Sequence, residues 1–226
     1  MATNYFEDFD AVSSKQWKQK IQFELKGGDY NDTLIWNSPE DIKVKPFYHK
    51  DDFSKIGVVG TKASTFKIVQ NIFVFDIEKS VERALDTLSR GAESLRFTID
   101  KETTAIEMVL NRLPLNDITV YFDMRFLSID FVTRLEAISS KFNTQFHYNL
   151  DPIGQLAKDG NWHKTNDKTN FDTLNTIVSA VSKSTVVSID AVLYQNAGAN
   201  MVQQIAYAVA HANEYFNRLP ILNQQL

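Results

Sequence analysis

Five aspartates stand at or just after the C-terminal ends of five predicted strands: Asp76, Asp100, Asp123, Asp151 and Asp190. In parallel βα folds that end of the strands is where reactive groups gather. A carboxylate ring there suits magnesium binding or acid–base work. The same residue type also caps helices and closes βα loops, and that reading is favoured for most of the five. Asp151 and Asp190 are set apart, because neither is predicted to precede its helix directly. Tyr194, Gln195 and Asn196 follow in a loop that carries Gly198. Asp151, Asp190, Tyr194, Gln195 and Asn196 are therefore the strand-end candidates. A magnesium-dependent lyase or hydrolase would draw on Asp123, Asp151 and Asp190.

Other chemistries are poorly served. The four histidines, His49, His147, His163 and His211, show no metal-ligand spacing. His147 falls in a predicted strand and His211 on a predicted helix, where a satisfied structural role is favoured. The sequence has no cysteine, which removes disulfides, thiolate zinc sites and cysteine nucleophiles. No serine sits in a nucleophile-elbow setting, and neither Gly27-Gly28 nor Gly57–Gly60 forms a phosphate-cradling pattern. Lys43, Lys45 and Lys50 make a small basic cluster for which a solvated face outweighs a phosphate site. A formal net charge of -4 over 226 residues argues against nucleic acid or an anionic membrane as the main partner. The first residues lack a basic-then-apolar leader pattern and no apolar run is long enough to span a bilayer, so a cytoplasmic location is expected.

The elements that must hold the candidates come in a repeating order. Ile68–Phe75, Leu95–Ile99, Ile118–Phe122, Gln145–Leu150 and Val186–Ile189 read as strands. Glu78–Arg90, Thr103–Leu113, Ser128–Lys141 and Phe171–Val181 read as the helices between them, with Pro152 to Asn170 as a polar excursion. After the last strand and the loop, Val202, Ile205, Ala206 and Val209 share one face of a long helix. Strands separated by single helices indicate a parallel sheet, and their spacing suits a closed barrel. A complete eight-unit barrel takes about 250 residues, and fewer than that follow Phe66. The expected fold is α/β, a partial (βα)8 TIM-type barrel of about five βα units with an N-terminal helical arm. The expected boundaries are 1–62 for the arm and linker and 63–226 for the first part of the barrel. In the arm, Trp17, Ile21 and Leu25 form a thin stripe on a helix from Ser13 to Leu25, suited to docking on another surface. Phe73, Phe75, Phe97, Tyr121, Phe122, Phe146 and Tyr148 crowd the strands, and about half are expected to fill the lumen.

At this point a resemblance enters. Tyr194-Gln195-Asn196-Ala197-Gly198-Ala199, followed by Gln203-Gln204-Ile205-Ala206-Tyr207-Ala208 and Glu214-Tyr215, resembles the barrel domain of the methylmalonyl-CoA mutase family. So do Leu34-Ile35-Trp36, Val44-Lys45-Pro46 and Gly91-Ala92-Glu93-Ser94-Leu95, while Asp151-Pro152-Ile153-Gly154 is similar to the small (beta) subunit in particular. The resemblance implies a (βα)8 substrate barrel and an adenosylcobalamin-dependent isomerisation of methylmalonyl-CoA and succinyl-CoA. It also implies an arm that wraps a partner subunit. Departures bear on the role. The catalytic subunit has a substrate-contacting histidine just before its Ala-Gly-Ala loop, where this sequence has Leu193. Phe47-Tyr48-His49-Lys50-Asp51-Asp52 offers no tyrosine at the catalytic offset, and no Asp-x-His-x-x-Gly cobalamin motif occurs.

The resemblance therefore implies part of a non-catalytic small subunit, in the N-terminal region of its barrel. The chain itself is expected to carry no catalytic, cofactor-binding or metal residue, with adenosylcobalamin bound elsewhere in the holoenzyme. Its expected partner is the large (alpha) subunit, with self-association of the truncated barrel as a further expectation. The alternative is an acyl-CoA-binding mutase barrel that works with a cobalamin domain on another chain.

Overall fold

A computed structural model describes residues 9–53 and 65–219. The linker reading of Ser54–Ala63, with Gly57–Gly60 in it, lies outside those residues. The chain divides into two compact units, Met1–Ala63 and Ser64–Leu226.

The first unit holds α1 (Ser14–Glu24), α2 (Tyr30–Leu34), β1 (Trp36–Asn37), β2 (Lys43–Val44) and a 3-10 turn at Lys50–Asp52. Ser13 begins α1 because its hydroxyl accepts from the Gln16 amide while the Gln16 side chain returns to the Ser13 amide, a reciprocal cap. β1 and β2 pair antiparallel, Trp36 opposite Val44, and β2 ends before Pro46, which has no amide to continue the ladder. This unit has almost no core of its own. α1 buries nothing, and Tyr30 is the one buried apolar residue among those described there.

The second unit contains β3 (Val69–Phe73), α3 (Ile77–Ser89), β4 (Ser94–Ile99), α4 (Glu107–Leu110), β5 (Thr119–Met124), α5 (Ile129–Phe142), β6 (Phe146–Leu150), α6 (Pro152–Asp159), α7 (Asp167–Ala180), β7 (Thr185–Val187), α8 (Val192–Asn196) and α9 (Met201–Arg218). The strands form one parallel sheet in the order β3-β4-β5-β6-β7. Among the described residues β3 and β7 each have a single strand neighbour. The architecture is thus a five-stranded parallel sheet flanked by helices. It is consistent with part of a barrel and is not itself closed.

Two elements differ from expectation. Thr103–Leu113 shortens to α4, because Lys101–Thr104 closes a turn and the helix start at Ile106 lacks a side-chain cap. The stretch after Pro152 is partly helical: proline at the first helical position costs nothing, Asp151 caps α6, and Gly160 ends it with a left-handed φ of 72°.

The two faces of the sheet are unlike each other. Ile72, Leu95, Phe97, Ile99, Val120, Phe122, Met124, Phe146, Tyr148 and Leu150 are buried in one cluster with Val81, Ala84, Val109, Leu135, Leu174 and Ile177 from the helices. Strand side chains alternate faces, and four of the seven strand rings, Phe97, Phe122, Phe146 and Tyr148, belong to the helix-packed core. There Phe122 meets Phe146 edge-on at 5.2 Å and stacks on Tyr148 at 5.9 Å between ring centres. The opposite face carries Asn71, Arg96, Thr98, Tyr121, Asp123, His147 and Asn149, with Phe73 at its edge, and is not sealed by large rings. No helix among the described residues is long and apolar enough to cross a membrane.

Candidate functional site

The C-terminal end of the sheet gathers a buried polar cluster around Asp151. That residue leaves β6, caps α6 by accepting from the Gly154 amide at 2.8 Å, and places the same oxygen, Oδ1, 2.6 Å from the Tyr215 hydroxyl that donates to it. Tyr215 in turn accepts from the Ile153 amide at 3.1 Å. His211, whose side chain is 2% exposed, brings Nε2 to 2.9 Å from the same Oδ1. The ring N–H does not align on that oxygen, so the contact is electrostatic proximity and not a well-formed hydrogen bond. The other imidazole nitrogen, Nδ1, is 2.8 Å from the Tyr194 hydroxyl. The start of α6 and the second half of α9 therefore meet on one carboxylate, and the short α8 joins them through His211.

α9 presents His211, Tyr215 and Leu219 inward at i, i+4 and i+8. The apolar face of that helix is the outward one. Val202, Ile205 and Val209, which share the apolar face expected from the sequence, are 67%, 68% and 63% exposed. Periodicity identifies a face but not the direction in which it points.

The strand-end candidates separate. Asp151 and Tyr194 come together through His211. Asp190 is exposed and accepts from the Val192 amide at 3.0 Å, a local turn contact at the start of α8. Gln195 and Asn196 are exposed on α8. Contrary to expectation, Asp151 directly precedes its helix, as the cap of α6, whereas Asp190 is separated from α8 by Ala191. Asp76 caps α3 through the Lys79 amide, Asp100 pairs with Arg125 at 3.1 Å, and Asp123 accepts from Asn149 Nδ2 at 2.9 Å. Among the described residues no group of three His, Asp or Glu side chains is placed to hold a metal ion. The lyase reading therefore loses its carboxylate ring, because each member already serves another group. His211, Tyr215 and Gly154 were not predicted as members of the site. The i, i+4 spacing of His211 and Tyr215 was the signal available for two of them.

The open sheet face is the second polar surface of this unit. Asn71, Arg96, Tyr121 and His147 lie in one row across four strands. Tyr121 stacks on His147 at 4.7 Å, and the Arg96 guanidinium sits 5.6 Å from the Tyr121 ring centre. Arg96 Nε is 3.8 Å from Asp123, too far for a hydrogen bond, and has no other partner among the described residues. Burial lowers the His147 pKa, and the Lys67 charge adds to the effect. Asn149 takes a left-handed φ of 41° next to an irregularity in the β6–β7 register, and from there its amide reaches Asp123.

Burial, followed by the negative charge of the adjacent carboxylate, pushes two phenols far above the ordinary tyrosine range: Tyr215 beside Asp151 and Tyr148 beside Glu136. Folded, both keep their protons above pH 10, where an unfolded chain releases them. The unfolded state then binds fewer protons than the folded one. Stability is accordingly insensitive to these groups below about pH 10 and falls above it, by up to about 1.4 kcal/mol per pH unit for each phenol. Alkaline titration followed by tyrosinate absorbance should show two of the eight tyrosines ionising only with unfolding. Ionisation of all eight ahead of unfolding would refute this.

No family model matches the chain. It aligns with the methylmalonyl-CoA mutase small subunit of Porphyromonas gingivalis at 26% identity over 248 residues, covering 95% of this chain and 38% of that protein. Against the methylmalonyl-CoA mutase small subunit of Propionibacterium freudenreichii subsp. shermanii the identity is 26% over 250 residues, covering 94% and 38%. The chain is similar to methylmalonyl-CoA mutase small subunits. The similarity extends along nearly the whole chain. The chain spans somewhat more than a third of the length of these mutase subunits.

Proposed function

We propose that this chain is the arm and first barrel region of a non-catalytic mutase small subunit. In that role it supports isomerisation of methylmalonyl-CoA and succinyl-CoA by an adenosylcobalamin-dependent large subunit in the cytoplasm. The observation that carries the reading is the similarity to two small subunits along nearly the whole chain. Leu193 supports it: an apolar, half-buried side chain stands where the catalytic counterpart has a substrate-contacting imidazole, and leucine can neither donate a hydrogen bond nor move a proton. The nearby imidazole, His211, is enclosed by Asp151 and Tyr194. Cobalamin belongs to the large subunit in this account, and no residue of this chain is assigned to it.

The arm is the proposed contact with the large subunit. α1 buries nothing, and Trp17, Phe23 and Trp36 are 50%, 80% and 61% exposed, the residue types that anchor interfaces. Mixing the chain with a mutase large subunit should give a complex by analytical ultracentrifugation, and Trp17→Ala should weaken it about tenfold or more. Absence of association between two folded chains would overturn the reading. Self-association through the open sheet edges would appear in the same experiment as a species formed without the large subunit.

The polar sheet face favours a second reading, an acyl-CoA-binding barrel that works with a cobalamin domain on another chain. Arg96, Thr98 and Asn149 give that face polar side chains beside the stacked Tyr121 and His147. Calorimetric titration with an acyl-CoA separates the two: saturable micromolar binding supports the second, and no heat of binding leaves the scaffold.

A further inference from the structure

The Asp151 cluster does more than tie three elements together, because its geometry follows the order of an activated hydroxyl. Tyr194 Oη lies 2.8 Å from His211 Nδ1, the opposite imidazole nitrogen lies 2.9 Å from Asp151, and that carboxylate is fixed by the Gly154 amide and the Tyr215 hydroxyl. A hydroxyl within reach of a base, with the base oriented by a third group that is itself held in place, is the arrangement that makes a side-chain oxygen nucleophilic. A proton on Nε2 is favoured by the nearby carboxylate charge, although the N–H is not aligned on it, and leaves Nδ1 to accept from Tyr194. The base is buried and the phenol is half-exposed, at the end of the strands and open to solvent on one side.

We infer that Tyr194 is a reactive phenol, a site of acyl transfer from an activated acyl donor, with His211 as its general base and the Asp151 carboxylate beside it as the charge that favours the imidazolium formed. In the step, Tyr194 Oη attacks the carbonyl carbon of the donor as its proton passes to His211 Nδ1. The new phenyl ester C–O bond forms, and the bond from the carbonyl carbon to the leaving group breaks, the leaving group departing with the electron pair. The proton then leaves His211 for solvent. Burial and the Asp151 charge raise the Tyr194 pKa, so a free phenolate does not form in advance and the proton must move in concert with attack. The inference is independent of whether the chain supports a mutase, since it concerns a group that the small-subunit role leaves unused.

The molecule contains its own comparator. Tyr207 is 47% exposed, its ring is 5.3 Å from that of Tyr194, and among the described residues no base is bonded to its hydroxyl. Treating the full chain with p-nitrophenyl acetate and mapping acetylated peptides over time should show Tyr194 modified about 10²-fold faster than Tyr207. His211→Gln should bring Tyr194 down to the Tyr207 rate, with the circular dichroism spectrum checked for retained fold. If that variant does not fold, the ratio in the unmodified chain still decides the matter, and Tyr194→Phe supplies the background. Equal rates at Tyr194 and Tyr207, or a Tyr194 rate unaffected by loss of His211 in a folded variant, would overturn the inference.

Discussion

Replacing Phe122 by alanine is expected to cost about 3–5 kcal/mol of stability. The ring is fully buried, stacks on Phe97 at 6.2 Å and on Tyr148, and meets Phe146 edge-on, so its removal opens a hole between the sheet and its helices. Its chain neighbour provides the control. Tyr121 points to the other face, is partly exposed, and touches chiefly His147 and Arg96. Tyr121→Ala is expected to cost no more than about 1 kcal/mol. Chemical denaturation of the two variants measures both numbers. Similar losses at the two positions, or the reverse order, would show that the face assignment of the strands is wrong, and with it the open polar surface.

The second large effect is expected at Gly154. A Cβ added there would lie 2.1 Å from Asp151 Oδ2 and 2.6 Å from Cγ, distances no pair of atoms can keep. An exposed aspartate would swing aside. This one is held by the Gly154 amide, the Tyr215 hydroxyl and its proximity to His211. Gly154→Ala must therefore expel the carboxylate, uncap α6 and strip Tyr215 of its acceptor. The combined cost is about 2–4 kcal/mol. Denaturation gives the magnitude. Loss of the late alkaline ionisation of one tyrosine would show that the carboxylate has moved. Unchanged stability would mean that Asp151 is not fixed as described.

Much of the layout was legible in the sequence because it depends on local rules. Short β-branched and aromatic runs separated by single amphipathic helices specified a parallel βα order, and Ser13, Asp76 and Ser128 announced helix starts by residue type. What was not legible depends on which way a face points. Tyr121-Phe122 places rings on both sides of one strand, so a run of aromatics cannot say which of them meets the helices. α9 has an apolar stripe on one side and His211, Tyr215 and Leu219 on the other, and the packed side is the more polar one. Pro152 read as an interruption, although at the first turn it is compatible with a helix that Asp151 caps. The Asp151 cluster joins residues separated by 64 positions, and nothing in local pattern predicts that closure.

The strand order has a consequence for biogenesis. Every strand from β4 to β7 lies beside the one made immediately before it, and β3 waits only for the strand that follows it. On the ribosome, the nascent sheet can lengthen at a single growing edge, each new βα segment settling on a finished neighbour and closing only a short loop. Synthesis and assembly can therefore run in the same direction, without a held, half-formed intermediate.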